Sequence, residues 1–157
     1  MTKSNSNSSA QKKPGRYGAL GQKLLLERAT SLRDPNKVLI EPPGYAKMSE
    51  LIVDFARPLL ALDPEDAFFE DAIAVAVLAW NIALLLEAQP EVTVAEFFEE
   101  MTGISSADSA ADAILEQIAL LVRRKQRHFS KHRRIILDYE VTESQDLFHV
   151  NIISEAV

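Results

Sequence analysis

Between residues 48 and 62 the apolar positions recur every three or four residues. Met48, Leu51, Ile52, Phe55, Leu59 and Leu62 fall on one stripe, which is the period of an amphipathic helix. Ser49, or a residue just before it, suits the cap. Pro58 sits inside the pattern, lacks an N–H and clashes with the preceding turn. The spacing therefore predicts one helix over about 47–62 that is kinked or split at the proline. Asp63-Pro64-Glu65-Asp66 then reads as a helix start: Asp63 caps, Pro64 takes the first position, and the acids face the positive end of the dipole. The residues that follow are apolar on nearly every side, including Phe68, Phe69, Ile73, Val77, Leu78, Trp80, Ile82, Leu84 and Leu85. A helix without a polar face belongs in an interior, so 64–87 is expected to be a buried central helix. Its apolar run Ala72–Leu86 is fifteen residues long, short of the roughly 20 that a membrane span needs. Asn81 is the one polar side chain in that run. If buried it must be hydrogen-bonded, either fixing helix register against a neighbour or a backbone carbonyl or contacting a ligand.

Further on, Thr93-Val94-Ala95-Glu96 has the capping-box spacing, and Gly103 is placed to stop the short helix that follows. A fourth helix is expected from near Ser105 or Ser106. Ile114, Ile118, Leu121 and Val122 form its buried stripe, and it ends near Phe129. The period then drops to two. Ile135, Leu137, Tyr139 and Val141 alternate with Ile136, Asp138, Glu140 and Thr142, and Phe148, Val150 and Ile152 lie between Leu147, His149, Asn151 and Ile153. With Glu143-Ser144-Gln145-Asp146 as a four-residue loop, Val141 pairs with Phe148, Tyr139 with Val150 and Leu137 with Ile152, all on one face. The expected fold class is α+β: about four helices around a buried central helix, followed by a C-terminal antiparallel β-hairpin.

Charge divides the chain into blocks. Residues 1–47 carry nine Lys/Arg against three Asp/Glu, and 48–122 carry fifteen acids against Arg57 alone. Residues 123–137 carry seven bases and no acid, and 138–157 carry five acids and no base. The Ser- and Asn-rich stretch 1–16 has too little apolar surface to offset chain ordering and reads as a disordered tail. Its basic, acid-free composition is also that of an organelle transit peptide, although short disordered tails share it. Residues 17–46 read as a partly ordered basic arm, with Leu24-Leu25-Leu26 and Val38-Leu39-Ile40 as its apolar points. Residues 47–157 read as a single domain. Leu24-Leu25-Leu26 is far too short for a signal-peptide core, and the absence of cysteine excludes disulfides, thiol nucleophiles and thiolate metal sites.

Several segments carry a resemblance. Lys47-Met48-Ser49-Glu50 opening a helix, Pro58-Leu59-Leu60, Ala79-Trp80-Asn81, and Asp138-Tyr139-Glu140-Val141-Thr142 followed by Phe148-His149-Val150 together resemble a family of small uncharacterised bacterial proteins. The resemblance covers about 47–153. It implies a bacterial, cytoplasmic setting and no chemistry.

The densest candidate site is basic. Arg123, Arg124, Lys125, Arg127, Lys131, Arg133 and Arg134 form a candidate nucleic-acid or phosphate-binding segment. The competing reading is complementation of a helix C-terminus and pairing with the acidic helices. Phe129 is the sole aromatic there, so base stacking is thin. His128 and His132 have the spacing of a metal pair, with His149 as a third ligand, but the surrounding cations oppose a metal and solvated histidines are the better reading. In the expected register His149 faces Glu140, an ordinary cross-strand pair. The acidic pairs Glu65/Asp66, Glu70/Asp71 and Glu99/Glu100 point in divergent directions and mark no cleft for acid–base work. No nucleophile elbow, phosphate loop or dinucleotide fingerprint is present, so no catalytic residue, metal or cofactor is assigned. A lone hairpin is marginal and leaves two open edges. The leading expectation is a non-enzymatic protein-interaction module or small homo-oligomer, with self or another protein docking at the hairpin edge. The alternative is a nucleic-acid-associated protein using 123–134 and the basic arm.

Overall fold

The structure, a computed structural model, describes residues 47–62, 65 and 67–157. The tail over 1–16, the arm over 17–46 and the expected caps Asp63 and Pro64 lie outside the described residues. Within them the order is α1 (Met48–Phe55), α2 (Arg57–Leu60), α3 (Phe69–Ala88), α4 (Val94–Thr102), a 3-10 turn (Ser109–Ala111), α5 (Asp112–His128), β1 (Arg134–Ser144) and β2 (Leu147–Ala156). This is the α+β arrangement that the periodicity predicts.

Pro58 splits the first helix. α1 stops at Phe55, and α2 restarts after Ala56 with Pro58 in its first turn, where a missing N–H goes unmissed. Leu51, Ile52 and Phe55 are buried, and α1 packs against both α3 and β2.

The central helix begins later than expected. Ala67 and Phe68 lie in a turn, and α3 starts at Phe69 rather than at Pro64. Phe69 is buried, stacking on Phe148 with ring centroids 4.2 Å apart. Phe68 beside it stays 65% exposed. Glu70 and Asp71 occupy the first turn and take over the dipole role expected of Glu65 and Asp66. From Ala76 to Leu85 every residue is buried, Asn81 included. α3 is long and apolar enough to cross a membrane, but most of it is enclosed by the fold and it serves as the core helix.

α4 follows its local signals closely. The Thr93 hydroxyl accepts from Glu96 N at 3.2 Å, the Glu96 carboxylate accepts from Thr93 N at 2.7 Å, and Gly103 ends the helix with φ +71°. α5 starts later than Ser105 or Ser106. Ser106 donates its N–H and hydroxyl to Glu99 Oε1, both at 2.6 Å, and so ties α4 to the loop instead of capping α5. Asp108 caps the 3-10 turn through Ala110 N, and α5 runs from Asp112. Ile118, Leu121 and Val122 are buried as the stripe predicts, and Ile114 is half-buried.

The hairpin is real, but its turn is shorter than expected. Gln145 and Asp146 form a two-residue turn with φ +51° and +62°, the left-handed pair that suits the twist of a hairpin. Consequently Val141 pairs with Val150, Tyr139 with Ile152 and Glu143 with Phe148. The register differs by two residues from the expectation, so the same apolar side chains keep the same face. A bulge falls between Ile136 and Asp138. It leaves Leu137 without its expected partner Ile152 and lets the adjacent Ile135 and Ile136 both be buried. Between the helices and the hairpin, Phe55, Trp80 and Phe129 meet edge to face at 5.2–5.9 Å.

Candidate functional site: the hairpin edges and the basic segment

The two edges of the hairpin are treated differently by the fold. Ser144 and Leu147 flank a two-residue turn, which makes them a hydrogen-bonded pair, and such pairs alternate along the ladder. On β2 the odd-numbered residues therefore bond toward β1, while Phe148, Val150, Ile152 and Ser154 turn their backbone groups outward. On β1 the one-residue shift at the bulge turns Arg134 and Ile136 outward. Those outward groups meet α3. The Trp80 indole N–H donates to Arg134 O at 2.8 Å. The Asn81 amide donates to Ile136 O and accepts from Ile136 N, both at 2.8 Å. Asn81 thus substitutes for a neighbouring strand, and the buried start of β1 is closed to any partner.

The middle of β2 has no such hydrogen-bonded cover, although α1 packs against the strand. Among the described residues no backbone hydrogen bond outside the ladder reaches Phe148, Val150 or Ile152. Arg134 donates from Nη2 to Ser154 O at 3.2 Å, which closes the far end. Phe148, Val150 and Ile152 pack half-buried against the core. On the opposite face, Leu147 and Ile153 are 63% and 58% exposed, with exposed His149 and Asn151 between them. His149 pairs with Thr142 and not with the expected Glu140, a direct result of the shorter turn.

The basic segment does not form one patch. Arg123 and Arg127 on α5 and Lys131 after it are exposed. Arg124 donates to Asp54 O at 3.2 Å and lies 5.3 Å from the centroid of the Phe129 ring. Arg133 pairs with Glu87 on α3, and Arg134 donates through Nε to Ser154 Oγ at 2.9 Å. Lys125 departs furthest from the surface role expected of it, being fully buried. Its ammonium donates to Phe129 O at 3.2 Å and His132 O at 3.0 Å, and lies 4.3 Å from the Trp80 ring centroid. It is an internal cap that holds the end of α5 to the loop leading into β1. Burial pushes its pKa down to about 8; Glu87 opposes that shift and Arg133 adds to it. The sequence carried a signal for this. Lys125 lies on the stripe of Ile118, Leu121 and Val122, at the three- and four-residue spacing of the buried face.

The remaining candidates stay apart. α5 ends at His128, so His128 and His132 do not share a helical face. The His132 imidazole is held below its ordinary value by burial and then by the Lys125 charge. Among the described residues no group of three His, Asp or Glu side chains is arranged to hold a metal. Asp66 lies outside the described residues, and Glu70, Asp71, Glu99 and Glu100 are exposed on helix surfaces. The Ser106 hydroxyl and amide hold the Glu99 carboxyl below the usual carboxylate range.

No known protein family, curated protein or solved structure matches this chain.

Proposed function

We propose that this protein is a non-enzymatic interaction module whose docking element is the C-terminal hairpin. The observation that carries the reading is the open middle of β2, where outward backbone groups at Phe148, Val150 and Ile152 lie between the exposed side chains of Leu147 and Ile153. Exposed strand edges are usually blunted by charge, proline or a bulge. From Leu147 to Ser154 the strand has no proline, no carboxylate and no lysine, and the bulge lies on β1. An added strand would gain main-chain hydrogen bonds there and cover apolar side chains. A bacterial, cytoplasmic setting, implied by the family resemblance, is part of the same proposal. The dispersal of the basic segment into internal contacts favours this reading over nucleic-acid binding.

A photo-crosslinking residue placed at exposed Asn151 in the full-length protein tests the reading in cells. The expected result is a covalent adduct with a protein chain, absent when the same group replaces exposed Glu116 on α5. Equal labelling at the two positions overturns the reading.

A further inference from the structure

We infer that the occupant of the β2 edge is β2 of a second copy of this chain, paired antiparallel across a two-fold axis at Val150. This rests on the interaction reading above and names its partner. The argument is one of register. On β2 the outward backbone groups that remain open belong to Phe148, Val150 and Ile152, a set symmetric about Val150. Outward-facing residues must pair with outward-facing residues, which places the two-fold axis on a residue of β2, and of the possible positions an axis at Val150 engages all three open residues.

That axis also fixes every side-chain neighbour. On the outer face Leu147 meets Ile153 of the second copy, and Ile153 meets its Leu147. These are the two large exposed apolar residues of the hairpin, and each becomes the cover of the other. His149 meets Asn151, so polar lies beside polar. On the inner face Phe148 meets Ile152 and Val150 meets itself, which continues the half-buried apolar layer from one hairpin beneath the other. Apolar therefore faces apolar, and polar faces polar, throughout the shared stretch.

Charge permits the pairing. The acids of the hairpin lie on β1, in the turn and at Glu155, so the segment that meets its own copy contains no like-charged carboxylates. The product is a four-stranded sheet in the order β1-β2-β2-β1. Its two outer edges are the β1 strands, whose buried ends are already closed by Trp80 and Asn81. The contact is small, so the dimer is expected to be reversible, with a dissociation constant in the micromolar range.

Sedimentation of the full-length protein across concentration tests the inference. The expected result is a monomer–dimer equilibrium that weakens at least tenfold in the double variant Leu147→Lys, Ile153→Lys. Both side chains are exposed in the monomer, so the fold is retained, as circular dichroism verifies. Val150→Pro gives an independent test. It removes an N–H that points away from β1, so the hairpin ladder survives while the bonds at the axis are lost. A protein monomeric at every accessible concentration, or a dimer that neither variant weakens, overturns the inference. Hydrogen exchange separates the two levels of failure. A monomer whose Val150 and Ile152 amides are protected has its own arm on the edge, which removes the second copy and the interaction reading together. A crosslink at Asn151 to a different protein removes only the second copy.

Discussion

Asn81 on α3 and Ile136 on β1 are joined by two hydrogen bonds of 2.8 Å, the amide donating to the carbonyl and accepting from the N–H. A side chain here satisfies both backbone groups of a buried strand residue. Asn81→Leu is expected to destabilise the protein by about 3 kcal/mol, since two buried polar groups lose their partner. Urea unfolding measures it. Asn81→Asp should cost more at neutral pH, because a carboxylate cannot donate to Ile136 O and its charge is buried. Burial raises the pKa of that new carboxyl, so protonation restores a donor. The Asp variant should therefore recover stability relative to the Leu variant as pH falls from 7 toward 5. A constant difference between the two across that range would show that the site is reached by water.

Lys125 gives a pH dependence of opposite sense. Its folded pKa is pushed from 10.5 to about 8 by burial. Below pH 8 both folded and unfolded chains hold the proton and the burial cost is constant. Between about 8 and 10.5 the unfolded chain holds a proton that the folded chain has released, so this group adds stability as pH rises through that window, by at most about 3 kcal/mol. Lys125→Met should remove that slope. The comparison is the urea midpoint of both proteins from pH 7 to 10; parallel curves would assign the slope to other groups.

The turn offers a gain of stability. Gln145 and Asp146 adopt φ +51° and +62°, where most L residues are strained. Gln145→Asn with Asp146→Gly supplies the pair preferred for this geometry and should stabilise the hairpin by about 1 kcal/mol. The rise in thermal midpoint is the readout, and a fall would mean that the native side chains make compensating contacts.

Thr93→Ala removes one half of the capping box at the start of α4 and should cost about 1 kcal/mol. Glu96→Ala should cost a similar amount, and the double variant less than the sum, because each bond helps to hold the other. Full additivity in denaturant melts would mean that the two caps act independently.

Signals that act between near neighbours are legible in the sequence. Pro58, the Thr93–Glu96 box and Gly103 act on neighbours three or four residues away, and each sits where the periodicity places it. The hairpin was legible as a pair of alternating runs, but not its register. Gln145-Asp146 has neither glycine nor asparagine to mark a two-residue turn, and a slip of two residues preserves the face pattern. α3 starts at Phe69, whose stacking on Phe148 is a contact remote in sequence that no local cap reveals. The candidate basic site was legible only as composition. Which cations turn inward depends on Trp80, Glu87 and Asp54, all remote in sequence. The open edge of β2 depends on the two-residue turn, which sets the backbone groups that point outward, and Asn81 and Trp80 close only the buried start of β1.

Asn81 and Ile136 are separated by 55 positions in the chain. That separation has a consequence during synthesis. The ribosome delivers α3 well before β1 and β2. Until β1 clears the exit tunnel, α3 has no strand for Asn81 to hold and no roof over Trp80. The nascent chain therefore carries the core helix without its strand cover while the intervening residues are made. Chaperone dependence should accordingly track the speed at which the codons for residues 134–156 are read.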